Sequence, residues 1–123
     1  MRAAAGTVGI RPNLGRFRTE DEALAALVDG LVSELDPDEI WLFGSRARGT
    51  ARPDSDFDLL VVARPGQDWA DDYDRAYKAT RRAGVGCDVV PVGRADFDEA
   101  ATLHTSFVSL IREEGRKLYE ARS

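Results

Sequence analysis

The chain has one cysteine, Cys87, and one histidine, His104. A lone cysteine closes no internal disulfide, which agrees with a reducing compartment and leaves stability to the packed core. A lone histidine excludes a histidine-rich metal cluster, and any histidine-based triad would rest on His104 alone. Long apolar runs are missing too. Nothing approaches the roughly 18 consecutive apolar residues of a membrane span, and residues 1–10 hold only a short stretch interrupted by Gly6 and Gly9. We therefore expect no membrane segment, no secretion signal and a cytoplasmic location. Nor is positive charge in surplus: 17 Lys and Arg against 22 Asp and Glu leave net −5, a field that disfavours attachment to nucleic acid or anionic lipid.

What is present suits one domain. A chain of 123 residues buries roughly two-thirds of its extended surface, enough for a single modest core but not for a second substrate-binding lobe. A large acceptor is therefore expected to meet it from outside. The charge is unevenly spread: Arg2, Arg11, Arg16 and Arg18 stand in the first eighteen residues with no acid, leaving 13 bases against 22 acids, or −9, in the remainder. Residues 1–18 show no sustained period and contain Gly6, Gly9, Pro12, Asn13 and Gly15. They read as a flexible basic arm before a domain over residues 19–123.

Within that domain, Thr19 and Glu22 have capping-box spacing, and Leu24, Leu27, Val28, Leu31 and Leu35 recur at helical intervals up to Asp36-Pro37. The compact run Ile40-Trp41-Leu42-Phe43 is too short for a helix and ends at Gly44, so it reads as a buried strand. Residues 57–63 form a second strand whose apolar continuity past Asp58 predicts the middle of a sheet. Trp69, Tyr73, Ala76, Tyr77 and Thr80 predict one face of a helix over about 67–83. Residues 85–92 form a third strand ending at Pro91. Asp96 is the expected cap of a further helical region, Phe107, Leu110 and Ile111 form another apolar stripe stopped by Gly115, and Lys117-Leu118-Tyr119 suits a short edge strand. The expected fold is a small α/β (α+β) arrangement, a mixed sheet of three or four strands with helices packed on it.

The chemistry-bearing residues fall at the strand ends. Asp56 and Asp58 are two apart, so in a strand they project from one face with alpha carbons roughly 6 to 7 Å apart. Two carboxylates so placed can share hard cations such as Mg²⁺, and paired metal ions stabilise both oxygens of an in-line phosphoryl displacement. Asp88 lies in an otherwise apolar strand. It either completes a carboxylate triad with Asp56 and Asp58, or sits in water at a strand end or beside an arginine. Gly44 lets a phosphate approach the backbone, the Ser45 hydroxyl can donate to a phosphate oxygen, and Arg46, Arg48 and Arg52 add cationic donors.

Together these residues are more specific than singly. The stretch GSRARGTARPDSDFDLLVV, followed some thirty residues later by the strand aspartate Asp88, resembles the signature of the DNA polymerase β-like nucleotidyltransferase superfamily, in particular its minimal members. The resemblance runs from about Thr19 onward and is closest over residues 41–62. It implies a small nucleotidyltransferase fold and transfer of a nucleoside monophosphate, most often AMP from ATP, to an acceptor hydroxyl. Asp56, Asp58 and Asp88 would be the catalytic metal ligands for two Mg²⁺ ions, with Asp88 also helping to activate the nucleophile. Gly44, Ser45, Arg46 and Arg48 would bind the nucleotide.

Minimal members are often paired with a HEPN-domain partner, so the resemblance further implies an antitoxin that neutralises an RNase-type toxin by transferring AMP to it. Two alternatives remain: an antitoxin acting by binding alone, and a small-molecule nucleotidyltransferase with its acceptor pocket between the subunits of a homodimer. Other features read as structural. Cys87 alternates to the face opposite Asp88 and suits a core thiol. Trp41 and Trp69 suit packing, His104 the surface, and Asp68, Asp71, Asp72 and Asp74 either a solvated face or a docking surface for a basic partner.

Overall fold

The computed structural model describes residues 11–122. α1 (Glu20–Leu35) begins where the capping box places it: the Glu22 amide donates to Thr19 Oγ1 at 3.1 Å and the Thr19 amide to Glu22 Oε1 at 3.2 Å. Such a cap is worth about 1 kcal/mol. Leu24, Leu27, Leu31 and Leu35 are buried, and each contributes roughly 1.5 to 3 kcal/mol by leaving water. Gly30 belongs in this helix because a Cβ there would lie 2.5 Å from the Ala79 carbonyl oxygen. The backbones meet where no side chain fits.

The four strands are β1 (Glu39–Phe43), β2 (Phe57–Ala63), β3 (Cys87–Gly93) and β4 (Arg116–Glu120), in the order β3-β2-β1-β4. β1 runs antiparallel to β2 and β4, whereas β2 and β3 are parallel. The sheet is mixed, as expected, and β2 is interior. One face, including Ile40, Leu42, Leu59 and Val61, packs with the α1 leucines and with Trp69 and Ala76. The other, including Trp41, Leu60 and Val62, packs with Phe97, Val108 and Ile111, which lie on α4 (Arg94–Ala101) and α5 (Phe107–Glu114). Burial on both faces explains the unbroken apolar run of β2.

Three expectations about elements need correction. The helix expected over 67–83 is reduced to α3 (Tyr73–Lys78) and a 3₁₀ turn at Arg81–Ala83. The preceding residues serve α1 instead: Gln67 Nε2 donates to the Leu35 and Asp36 carbonyls at 2.9 and 3.0 Å, and Trp69 Nε1 to the Leu35 carbonyl at 3.1 Å. These bonds, with Arg64 Nε also donating to the Asp36 carbonyl at 3.0 Å, satisfy carbonyls at the C-terminal end of α1, where no intrahelical donor remains. Trp69, Ala76 and Thr80 are buried, but Tyr73 and Tyr77 are exposed. Pro91 does not end β3 but lies within it, which an edge strand tolerates. Asp96 is not a cap, since α4 starts from Gly93 without a side-chain bond. Arg94 instead anchors that end, pairing with Glu39 at 2.7 Å, Asp38 at 3.1 Å and Asp98 at 2.5 Å. These acceptors hold its guanidinium above the usual pKa, and Arg94 in turn lowers that of Asp98, with the Arg94–Asp98 hydrogen bond the largest cause of each shift.

Residues 1–10 of the expected arm lie outside the described residues, but 11–18 are packed against the body. Leu14 and Phe17 contact the core, and Asn13 bonds to two distant loops. No helix among the described residues is long and apolar enough to cross a membrane.

Candidate active site

Because β1 is antiparallel to β2 and β3, its last residue and their first residues share one end of the sheet. Sequence positions far apart therefore converge there. Phe43 pairs with Asp58 across β1 and β2, and Asp58 with Asp88 across β2 and β3. Register partners on adjacent strands are separated by about 5 Å. Asp58 and Asp88 share the face of Leu60, Val62, Val90 and Val92, which α4 and α5 cover further along the strands. Asp56 lies just before β2, with its carboxylate against Gly86, where any side chain would collide with it.

Asp58 has its pKa raised, first by burial and then by the charges of Asp88 and Asp56, with Arg48 opposing. Like-charged carboxylates repel unless a cation lies between them. Among the described residues, none of the ion pairs involves Asp56, Asp58 or Asp88, and no three His, Cys, Asp or Glu side chains close on one point. The donors are hard oxygens in an open, mutually repelling array. That chemistry fits a divalent cation held partly by protein and partly by a phosphate-bearing ligand, as Mg²⁺ commonly is.

Gly44 joins this cluster directly. Its φ of 75° and ψ of −157° suit glycine alone, and a Cβ would strike Asp58 Oδ2. Ser45 opens α2 (Ser45–Arg48), one turn in length, whose backbone is held by the Ala47 and Arg48 amides donating to Gly44 O at 3.1 Å. Arg48 is exposed on that turn, close enough to Asp58 for its charge to be felt.

Arg46, expected beside the phosphates, is engaged elsewhere. Its side chain is 5% exposed and pairs with Glu20 at 2.8 Å. Nε and Nη2 donate to Ser55 O at 3.1 and 2.7 Å, Nη2 donates to Pro53 O at 2.9 Å, and the guanidinium covers the Phe57 ring at 4.2 Å. With these donors used internally, Arg46 secures the loop before Asp56 and is not available to a phosphate. Arg52 is exposed, 3.7 Å from Asp54.

Cys87 is buried on the face opposite Asp88, and burial, then the nearby carboxylates, raise its thiol pKa far above normal. His104 is exposed. Neither joins the aspartates. The sequence reading missed Asn13 and Gly86, which stand behind Asp56; a Pro-Asn turn at residues 12–13 was the available signal, but its partners lie more than forty residues away.

A family model described as a nucleotidyltransferase domain matches residues 24–118. The chain belongs to the nucleotidyltransferase domain family. No curated protein sequence matches it significantly. Among solved structures, the nucleotidyltransferase is similar to a chain from a toxin-antitoxin crystallised with AMP-PNP, at TM-score 0.52 and 21% identity, covering 85% of this chain and 76% of that one. A candidate nucleotidyltransferase from Sulfolobus solfataricus aligns at TM-score 0.45 and 19% identity, over 86% and 93% of the two chains. The first likeness bears on the fold, which agrees with the mixed sheet and flanking helices.

Proposed function

We propose that this nucleotidyltransferase transfers AMP from ATP to a hydroxyl on a partner protein, as the antitoxin of a HEPN-type RNase toxin. The observation that carries the chemistry is that Asp58 and Asp88 are register partners, with Asp56 and the Gly44-Ser45 turn at the same end of the sheet. Asp56, Asp58 and Asp88 would hold the metal, Gly44 lets the turn close against Asp58, and Ser45 Oγ and Arg48 would donate to triphosphate oxygens. Two Mg²⁺ ions bound there would neutralise the phosphates and favour the alkoxide form of the acceptor. The acceptor oxygen forms a bond to the α-phosphorus as the bond to the bridging α–β oxygen breaks. Pyrophosphate leaves, and Asp88, exposed at the strand edge, takes the acceptor proton.

The partner assignment is supported by the toxin-antitoxin neighbour that shares the fold. A protein acceptor also suits the surface near the turn, where exposed Phe107 packs edge-on against Phe43 with centroids 5.2 Å apart and exposed Leu110 follows one turn later on α5. The test is co-expression with the product of the neighbouring reading frame, comparing wild type with the Asp56→Ala, Asp58→Ala double variant. Wild type should modify the partner and suppress its RNase activity, and the double variant should do neither. Full suppression by the double variant would assign neutralisation to binding alone.

A further inference from the structure

The segment before α1 reaches the metal-binding end of the sheet through one side chain. Asn13 Nδ2 donates to Ser55 O at 3.0 Å and Gly86 O at 2.8 Å, Oδ1 accepts from the Gly86 amide at 2.6 Å, and the Asn13 amide donates to Pro53 O at 2.8 Å. One carboxamide thus matches both backbone groups of Gly86, as a neighbouring strand would, and ties them to the residue preceding Asp56. Gly86 is two residues before Asp88, and its carbonyl also accepts the Phe57 amide at 3.1 Å. Ser55 O is shared with Arg46, so the loop leading to Asp56 is gripped from both sides.

We propose that Asn13 is a positioning residue for the metal site: it fixes the spacing between the strand entrances that carry Asp56 and Asp88. This inference rests on the metal-dependent reading above. Residue 13 lies outside the span matched by the family model, so the device belongs to this chain's own N-terminal segment. A carboxamide presents its donor and acceptor on separate atoms of one plane, which lets Asn13 meet both backbone groups of Gly86 at once. Alanine supplies neither, and serine a single short hydroxyl. The three carboxylates repel one another, so their separation depends on backbone restraints, and loss of a restraint should weaken cation binding. Groups that hydrogen-bond metal ligands directly typically contribute 10- to 100-fold to metal affinity, and a restraint that acts through the backbone beside the ligands is expected at the lower end of that range.

The test uses the full chain and Mn²⁺ alone as probe, with binding read from the spectrum of the free aquo ion. Asn13→Ala is compared with Asn13→Ser and with Val28→Ala, a partly buried α1 position packed against the core, as a control for a general loss of stability. Asn13→Ala should bind Mn²⁺ about tenfold more weakly, Asn13→Ser less severely so, and Val28→Ala as wild type does. In transfer assays the metal concentration for half-maximal rate should rise for Asn13→Ala, with the rate largely recovered at saturating metal. Wild-type Mn²⁺ affinity in both Asn13 variants, or an equal loss in Val28→Ala, overturns the positioning role while leaving the proposed function intact. Absence of Mn²⁺ binding by wild type overturns the metal-dependent function itself, and this inference with it.

Discussion

Asp58 and Asp88 are direct partners on the parallel strands β2 and β3. Two acids thirty residues apart are thus held side by side, with Asp56 adding a third charge, and burial and repulsion raise the Asp58 pKa. A cation bound between these carboxylates would relieve that repulsion.

That strain is measurable as a function of pH. The folded-state pKa of Asp58 lies above its ordinary value of 3.8, so the folded protein binds more protons than the unfolded chain in the window between the two. Stability from this group is fully present below 3.8 and is lost as pH rises through the folded value. Asp58→Asn should therefore raise the neutral-pH Tm without metal, by a margin that shrinks on acidification toward 3.8. A margin that is constant with pH would contradict the electrostatic origin. The same variant should lose more than about 100-fold in transfer activity, exceeding the loss typical of a residue behind the ligands.

The two neighbouring arginines should separate cleanly. Arg46→Ala removes charge-assisted bonds to Glu20 and to two carbonyls and should cost about 2 to 4 kcal/mol in urea unfolding. Arg48→Ala should leave the urea midpoint within about 0.5 kcal/mol of wild type and instead raise KM for Mg-ATP. A nucleotide-binding loss in Arg46→Ala without loss of stability would return that residue to the phosphate site.

Gly44→Ala tests the turn. Its backbone conformation disfavours side chains and a Cβ meets Asp58, so about 1 to 3 kcal/mol of stability should be lost. Activity should fall further than stability alone explains. Wild-type stability and activity in this variant would show that the turn can relax.

Cys87 should be inert while the protein is folded. Its thiol is buried and its ionisation suppressed, so a disulfide reagent should label it only as fast as the chain opens, and Cys87→Ser should still transfer nucleotide. Rapid labelling of native protein would contradict the packing described.

The legible parts of the sequence are those whose physics is local. Thr19 and Glu22 cap α1 within one turn, and the apolar run of β2 records burial on both faces, so both elements emerged with near-correct ends. Asp56, Asp58, Asp88, Gly44 and Ser45 could be grouped because their residue types point to one chemistry, although only the strand order places them at one end of the sheet. The helix expected over 67–83 is shortened because Gln67 and Trp69 bond to the end of α1, more than thirty residues away. Arg46 departs from its expected role for the same reason. An arginine beside Gly-Ser reads as a phosphate donor until its pairing with Glu20 is seen. Asn13 acts entirely through long-range backbone contacts, for which local composition carries no pattern.

The central claim is that the aspartate cluster moves a nucleotidyl group, not a terminal phosphate. Parallel reactions with ATP labelled at the α- or the γ-phosphate, Mg²⁺ and the neighbouring gene product distinguish these outcomes. The account predicts that α-label becomes covalently attached to the acceptor, that γ-label leaves as pyrophosphate, and that both depend on Asp56 and Asp58. Attachment of γ-label, or α-label transfer undiminished in the Asp56→Ala, Asp58→Ala variant, would contradict it.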